Sequence, residues 1–181
     1  SGRVTNITKN HNGRGKCQSR NLCIRGCPYG AYFSSNSSTL PAAEATGNMT
    51  LKTNSIVHSI IYDDEKNKAT GVRVLDSETL EMTEYYSRII FLNASTINST
   101  LIMLNSKSRR FPNGFGNDSG ELGHNIMDHH FKAGARAQID GYEDYYYHGN
   151  RPANGYLARF RNLRNEKMNY LRGFGYQGGA I

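Results

Sequence analysis

The chain has 181 residues, 37% of them hydrophobic, and its formal net charge is +7 at pH 7. This length allows one domain with a buried core, or parts of two. No run of about 18 apolar residues occurs, so no membrane-spanning helix is expected. The basic residues are not accompanied by a helix-turn-helix, RRM or zinc-finger pattern, which argues against nucleic-acid binding.

Residues 1–16 are rich in Asn, Gly and Lys and predict a loop. All three cysteines of the chain follow in a Cys-x5-Cys-x3-Cys pattern: Cys17, Cys23 and Cys27. Three thiolates this close can converge on one inorganic centre, because each supplies a soft, negatively charged sulfur ligand. Gly26 and Gly30 flank the last cysteine and permit backbone turns with positive φ, which would let amides approach a cluster sulfur.

Three other interpretations of the cysteines stay open on spacing alone. A structural zinc site would need a fourth ligand, for which His11 is the candidate. A disulfide would leave one thiol over, since the cysteine count is odd. The simplest alternative is three free thiols in a loop that bind no metal or cluster.

The middle of the chain predicts a short helix followed by a β-meander. Residues 38–46 form the helix, with Thr39 as the N-cap and Gly47 after the last turn. Strands are predicted at 49–53, 56–62, 69–76 and 82–86, with a charged turn at 63–68.

A strand, a turn and a helix follow the meander. Residues 88–92 are continuously apolar, as in a strand buried on both faces of a parallel sheet. Asn93, Ala94 and Ser95 then lead into a helix predicted at 96–106. Small side chains at such a turn let a ligand phosphate approach the helix N-terminus, where free amides and the helix dipole favour anions.

The last third changes in character. A Gly-rich loop covers 109–130, and the residues at 131–140, 155–161 and 169–177 alternate as strands do. His129 and His130 could be tried with Asp128 as a metal or acid–base group. Adjacent histidines in a strand point to opposite faces, however, so Asp128 is expected to anchor the loop instead.

Taken together, these motifs resemble the glucose-methanol-choline (GMC) oxidoreductases, and within them the FAD-dependent sugar and polyol dehydrogenases and their gluconate dehydrogenase relatives. The similar segments are the cysteine run with its following Pro28, residues 39–43, residues 88–106, and the loop with Asn125, Asp128 and His129. The 88–106 segment departs from the family pattern at three positions: Asn93 replaces Ala, Ser95 replaces Gly and Thr100 replaces Pro.

The resemblance implies two cofactors. FAD would be contacted by the main chain of Val57, at its adenine ring, and by Ala94 and Ser95 at the turn. Cys17, Cys23 and Cys27 would each ligate one iron of a [3Fe–4S] cluster that relays electrons from the flavin to a cytochrome. Small-molecule alcohols or sugars are the implied substrates, and Tyr145, Tyr146 and Tyr147 could stack on a sugar.

The resemblance also implies a fold and a domain organisation. The fold class is α/β (α+β): residues 1–130 would be part of an FAD-binding domain, and 131–181 the start of an antiparallel substrate-binding sheet. No Gly-x-Gly-x-x-Gly fingerprint is present, and the family's catalytic histidine would lie outside these residues. The sequence is therefore expected to be an internal fragment, inactive alone, of a periplasmic or membrane-associated enzyme.

The implied reaction is the oxidation of a CH–OH group of a sugar, polyol or aldonate. Two alternatives remain at this point. One is a GMC oxidase that uses oxygen directly and carries no cluster. The other is a non-catalytic module that binds zinc or carbohydrate.

Overall fold

The computed structural model describes residues 6–20, 23–128, 133–138, 140–141, 155–159 and 161–178. The chain divides into two compact units, one made of residues 51–137 and the other of residues 1–50 with 138–181. Among the described residues, no helix is long and apolar enough to cross a bilayer.

The unit of residues 51–137 is built on a three-stranded antiparallel sheet in the order β1-β2-β3. The strands are β1 (Ser55–Asp63), β2 (Lys68–Asp76) and β3 (Met82–Tyr86). These confirm three of the four predicted meander strands. The fourth, at 49–53, was wrong, because the structure has no strand there.

Both turns of the meander use an aspartate at the end of the preceding strand. The carboxylate of Asp63 accepts from the amides of Glu65 and Lys66, and that of Asp76 accepts from the amides of Glu78 and Thr79. An aspartate side chain bonded to amides two and three residues ahead stabilises a turn without help from the rest of the fold. The charged turn predicted between the first two strands is therefore confirmed.

Two β-bulges interrupt the pairing of β1 with β2. His58 is an extra residue on β1, between the pairs Val57–Val74 and Ser59–Arg73. Thr70 is an extra residue on β2, between the pairs Ile61–Gly71 and Tyr62–Ala69. Each bulge disrupts the ladder locally and increases the twist of the hairpin.

The helix α2 (Ser95–Asn105) packs against β1. Among the described residues of this unit, the buried apolar side chains are Ile60 of β1, Val74 of β2 and Ile102 of α2, with exposed fractions of 5–8%. Burial of the Ile102 face is the reason the apolar spacing of 97–104 produces a helix here.

The buried parallel strand predicted at 88–92 was wrong. These residues form no strand, and the side chains of Ile89 and Phe91 are 69% and 82% exposed. An apolar run becomes a central strand only when other strands pair with both of its edges. No such partner strand exists among the residues that the structure describes, and both described sheets are antiparallel.

The other unit holds the cysteines, a short helical segment and a small hairpin. A π-helical turn (Ser35–Thr39) runs into α1 (Leu40–Glu44), and β4 (Gly155–Leu157) pairs antiparallel with β5 (Tyr176–Gly178). Thr39 occupies the N-cap position of α1, as predicted, but its side chain makes no capping hydrogen bond; Ser34, the N-cap of the π-helical turn, accepts one from the Ser37 amide. Gly47 does follow the helix with φ +70°.

The hairpin lies within two of the predicted alternating segments, 155–161 and 169–177. In the third, 131–140, the described residues 133–138 form no strand. His129, His130 and Tyr145, Tyr146 and Tyr147 lie outside the described residues.

Candidate functional site

Backbone hydrogen bonds bring the first and last parts of the cysteine segment together. The amide of Ile7 donates to Ala31 at 3.0 Å, and the carbonyl of Ile7 accepts from the amide of Cys17 at 2.9 Å. A third bond joins the amide of Gly15 to the carbonyl of Tyr29 at 2.7 Å. Ile7 therefore lies between the segment that contains Cys17 and the segment that follows Cys27, with a hydrogen bond to each.

The three cysteines line one cavity of about 250 Å³. Each is partly exposed, and all three thiols are free of disulfide bonds. Arg20 and Arg25 line the same cavity, and none of its described lining residues is Asp or Glu. The cavity thus combines soft sulfur donors with positive charge, which suits a group whose ligands are thiolates.

The sulfur of Cys17 accepts hydrogen bonds from two nitrogen donors. The side-chain amide of Asn6 lies 3.7 Å from it, and the backbone nitrogen of Ser19 lies 3.4 Å from it. Ser19 has φ +55°, a left-handed backbone conformation.

Cys27 begins a backbone turn, in which the amide of Gly30 donates to the carbonyl of Cys27 at 3.1 Å. Burial alone would raise the pKa of this thiol, but hydrogen bonds from the amides of Tyr32, Tyr29, Ala31 and Gly30 hold the pKa below its usual value. Gly26 and Gly30 have φ of +94° and +63°, as predicted for the residues that flank this cysteine. The turn after Cys27 is thus built to stabilise negative charge on sulfur.

The cysteines do not form a complete metal site with other described residues. Among the described residues, no three His, Cys, Asp or Glu side chains are arranged to hold a metal ion. His11, the predicted fourth zinc ligand, does not line the cavity, and its backbone pairs with Arg14 instead. In number and chemistry the three thiols correspond to the ligands of a three-thiolate iron–sulfur cluster, and the described residues that line the cavity include no His, Asp or Glu as a fourth zinc ligand.

A second set of predicted residues lies in the other unit, along β1 and α2. Val57 is half-buried, pairs with Val74 and directly precedes the bulge at His58. Asn105, the last residue of α2, donates from its side chain to the carbonyl of His58 at 3.4 Å. Val57 therefore lies near the C-terminal end of α2.

Ala94 and Ser95 lie at the opposite end of the same helix. Ala94 is the N-cap residue, and Ser95 has φ +66°. Ten residues of α-helix separate Ser95 from Asn105, a distance of about 15 Å. The structure therefore does not bring Val57 together with the turn, and the two would contact separate parts of an elongated cofactor.

The loop predicted at 109–130 is held against the end of α2. The amide of Phe115 donates to the carbonyl of Met103 at 2.8 Å, and Phe111 and Phe115 pack with Tyr62 in a three-ring cluster with centroids 5.0–5.7 Å apart. Asn125 donates to the carboxylate of Glu121. The side chain of Asp128 is exposed, and its expected anchoring role stays a prediction.

Comparison with known proteins identifies the chain. The sequence model of the GMC oxidoreductase family matches residues 2–131, which is well over half of the chain. The chain belongs to the GMC oxidoreductase family. The mixed α and β structure, with few helices and antiparallel sheets, agrees with part of the FAD-binding domain of a GMC oxidoreductase, as predicted.

Two curated proteins are similar to this GMC oxidoreductase chain. The fructose dehydrogenase large subunit of Gluconobacter japonicus is 25% identical over 122 residues, which are 66% of this chain and 21% of that protein. The 2-methyl-1,2-propanediol dehydrogenase of Mycolicibacterium austroafricanum is 29% identical over 106 residues, which are 59% of this chain and 19% of that protein. The matched part is thus about a fifth of each relative's length.

One residue of this GMC chain, Arg14, is not marked by any sequence pattern. The side chain of Arg14 forms hydrogen bonds with Gly30, Ala31 and Ser38, which lie 16, 17 and 24 positions further along the sequence. A single arginine in a Gly-rich loop has no spacing rule that marks such contacts, so only the structure reveals them.

Proposed function

We propose that these residues belong to an FAD-dependent dehydrogenase that oxidises a CH–OH group of a sugar, polyol or aldonate. Membership of the GMC oxidoreductase family, over residues 2–131, is the observation that carries this proposal. Both relatives are dehydrogenases by name, one of fructose and one of a propanediol. The flavin would accept a hydride from the substrate carbon.

In this proposal Val57, Ala94 and Ser95 hold FAD. Val57 offers backbone groups on an edge strand beside a bulge, a position where a flat ring can pair with the main chain. Ala94 has a small side chain at the start of an 11-residue helix, so a phosphate can approach the free amides of its first turn. We further propose that residues 1–130 serve the cofactor and 131–181 begin the substrate-binding part.

Iron–sulfur electron transfer is the second part of the proposal. Its support is the shared cavity of Cys17, Cys23 and Cys27, with two nitrogen donors at the sulfur of Cys17, a lowered pKa of Cys27 and no carboxylate among the described residues of the lining. The cluster would supply a one-electron outlet for the reduced flavin. A cytochrome acceptor and a periplasmic or membrane-associated location complete the proposed arrangement.

The decisive experiment is anaerobic purification of the full-length protein, followed by three measurements. Flavin absorbance and the iron and acid-labile sulfide content report the cofactors. Turnover is then assayed with fructose, gluconate, simple polyols and 2-methyl-1,2-propanediol, using either oxygen or an artificial one-electron acceptor. We expect bound flavin, iron with sulfide, and turnover with the artificial acceptor.

Other outcomes would support other functions. Flavin with oxygen-dependent turnover and no iron would identify an oxidase without a cluster. Zinc in place of iron, with no flavin, would identify a non-catalytic module and reject the dehydrogenase.

The predicted FAD contact at Ala94 can be tested separately. Ala94→Leu would fill the turn before α2 and weaken FAD binding by roughly tenfold or more, equivalent to about 1.4 kcal/mol. Asn98→Leu is the matched control, because it adds the same side chain at an exposed position one turn further along α2. Equal FAD affinity in both variants would remove Ala94 from the site.

A further inference from the structure

The side chain of Arg14 stabilises the turn after Cys27 by hydrogen bonds. Its Nε donates to the carbonyl of Gly30 at 2.8 Å, and its Nη2 lies 3.5 Å from the carbonyl of Ala31. Its Nη1 donates to the hydroxyl of Ser38 at 3.0 Å. One guanidinium thus ties the turn after Cys27 to the π-helical turn that contains Ser38.

The residues that Arg14 holds belong to the turn that begins at Cys27. Gly30 presents its carbonyl to Arg14 and donates its amide to the carbonyl of Cys27 at 3.1 Å, and the next carbonyl, that of Ala31, also faces Arg14. Ala31 is 1% exposed, so this part of the turn is packed in place. Shifting the carbonyls of residues 30 and 31 would rotate the neighbouring peptide units, because each peptide group is planar.

The conformation of the turn leaves little room for another arrangement. Gly30 has φ +63°, and a Cβ added there would lie 3.4 Å from Arg14 Cγ. The aliphatic part of Arg14 therefore packs over the glycine while its guanidinium bonds the carbonyl of the same residue.

We propose that Arg14 is a positioning residue for Cys27 as a ligand of the iron–sulfur cluster, an inference that rests on the cluster proposed above. Arg14 does not line the cavity, so it acts through the turn and not by touching the cluster. Its planar fork spans three acceptors at once, which the single ammonium group of lysine cannot do. The role is therefore one of geometry and not of charge.

The test compares four variants of the full-length protein, purified anaerobically. Arg14→Gln removes the fork, and Arg14→Lys keeps the charge but not the fork. Ser38→Ala removes one acceptor of Arg14. Lys16→Gln is the control, since it removes one exposed positive charge two residues away, at a residue whose hydrogen bonds are made by its backbone amide and carbonyl. The measurements are the rate of iron loss to a chelator, the EPR spectrum of the oxidised cluster and its midpoint potential.

We expect Arg14→Gln and Arg14→Lys to lose iron about 10- to 100-fold faster than wild type, the range typical for loss of an outer-shell partner. Ser38→Ala should lie between them and wild type, and Lys16→Gln should match wild type. The EPR spectrum should broaden in both Arg14 variants, because the turn at Cys27 samples more than one arrangement.

Each outcome separates the two proposals. Wild-type protein without iron and sulfide would reject the cluster itself. Wild-type protein with a cluster, and Arg14→Lys with unchanged iron loss and EPR spectrum, would overturn the positioning role of Arg14. If Arg14→Gln does not fold, Arg14→Lys and Ser38→Ala still test the positioning role of Arg14. Iron loss and EPR spectra like those of wild type in both variants would contradict that role.

Discussion

The hydroxyl of Ser106 joins helix to sheet, with its oxygen 2.7 Å from the backbone nitrogen of Ile60 on β1. The same hydroxyl donates to the carbonyl of Ile102 at 2.6 Å, and Ser106 is only 3% exposed. The amide of Ile60 points away from β2 toward α2, so it has no partner in the ladder. Ser106 therefore satisfies a buried amide at the outer edge of the sheet.

Replacing Ser106 with alanine should destabilise the protein by about 1–3 kcal/mol, because the buried amide of Ile60 is left without an acceptor. Urea unfolding, followed by circular dichroism, measures the loss. Ser77→Ala is the control, since Ser77 is exposed at the end of β2. Equal midpoints for the two variants would show that Ile60 finds another partner.

Replacing Ser95 with glycine should stabilise the protein. Ser95 has φ +66°, a left-handed conformation that costs a residue with a Cβ about 1 kcal/mol or more. Ser95→Gly should therefore raise the free energy of unfolding by about that amount, whereas Ser95→Ala should not. Thermal unfolding of the two variants side by side measures the difference, and a lower melting temperature for the glycine variant would contradict the explanation.

Gly114 should tolerate no side chain. It has φ +110°, and an added Cβ would lie 3.0 Å from both Leu104 Cα and Met103 O at the end of α2. Gly120 has φ +77° but open space around an added Cβ. Gly114→Ala should consequently cost about 1–3 kcal/mol more than Gly120→Ala, because only the first adds a steric clash to backbone strain.

The pair Gly114→Ala and Gly120→Ala also separates the two effects experimentally. Chemical unfolding of both variants gives the difference directly. If both variants lose the same free energy of unfolding, the loop moves away from α2 and the clash does not destabilise the protein.

Acid should weaken the meander through its turn aspartates. Hydrogen bonds from the amides of Thr79 and Glu78 hold the pKa of Asp76 below its usual value, and those from Lys66 do the same for Asp63. A depressed carboxyl pKa in the folded state means that the stabilisation is present above the unfolded pKa of about 3.9. It is lost as the pH falls through the lower, folded value.

Asp76→Asn tests this dependence, because its amide oxygen can still accept from the two turn amides but does not titrate. The urea midpoint of the variant should fall less steeply than that of wild type below about pH 5. Identical slopes would show that Asp76 does not contribute to acid sensitivity.

Local patterns predicted the meander well, for a physical reason. Alternating side chains and aspartate-containing turns specify β1, β2 and β3 without reference to the rest of the chain. The helix at 95–105 follows in the same way from its spacing. In the Ser-rich stretch before α1, neighbouring hydroxyls are interchangeable in sequence, so the pattern locates the N-cap of α1 at Thr39 but does not reveal that the capping bond is made earlier, by Ser34.

The errors come from features that depend on distant partners. The run at 88–92 is apolar enough for a central strand, but such a strand forms only where other strands pair with both of its edges. The same holds for the candidate site: the positive φ of Gly30 was predictable from its residue type, whereas the bonds of Arg14 depend on how the loop folds back. The roles of Val57, Ala94 and Ser95 in FAD binding, and of the cysteines as ligands, stay predictions.

The two bulges of the β1–β2 hairpin constrain how its length can vary. His58 and Thr70 are single extra residues on opposite strands, and beyond both of them Asp63 again faces Lys68. Deleting His58 alone would leave one strand a residue short and turn Ile60 off the core face or displace the closing turn. Deleting both would give an uninterrupted ladder with the same ends. Insertions and deletions in this hairpin should therefore survive only as matched pairs, one on each strand.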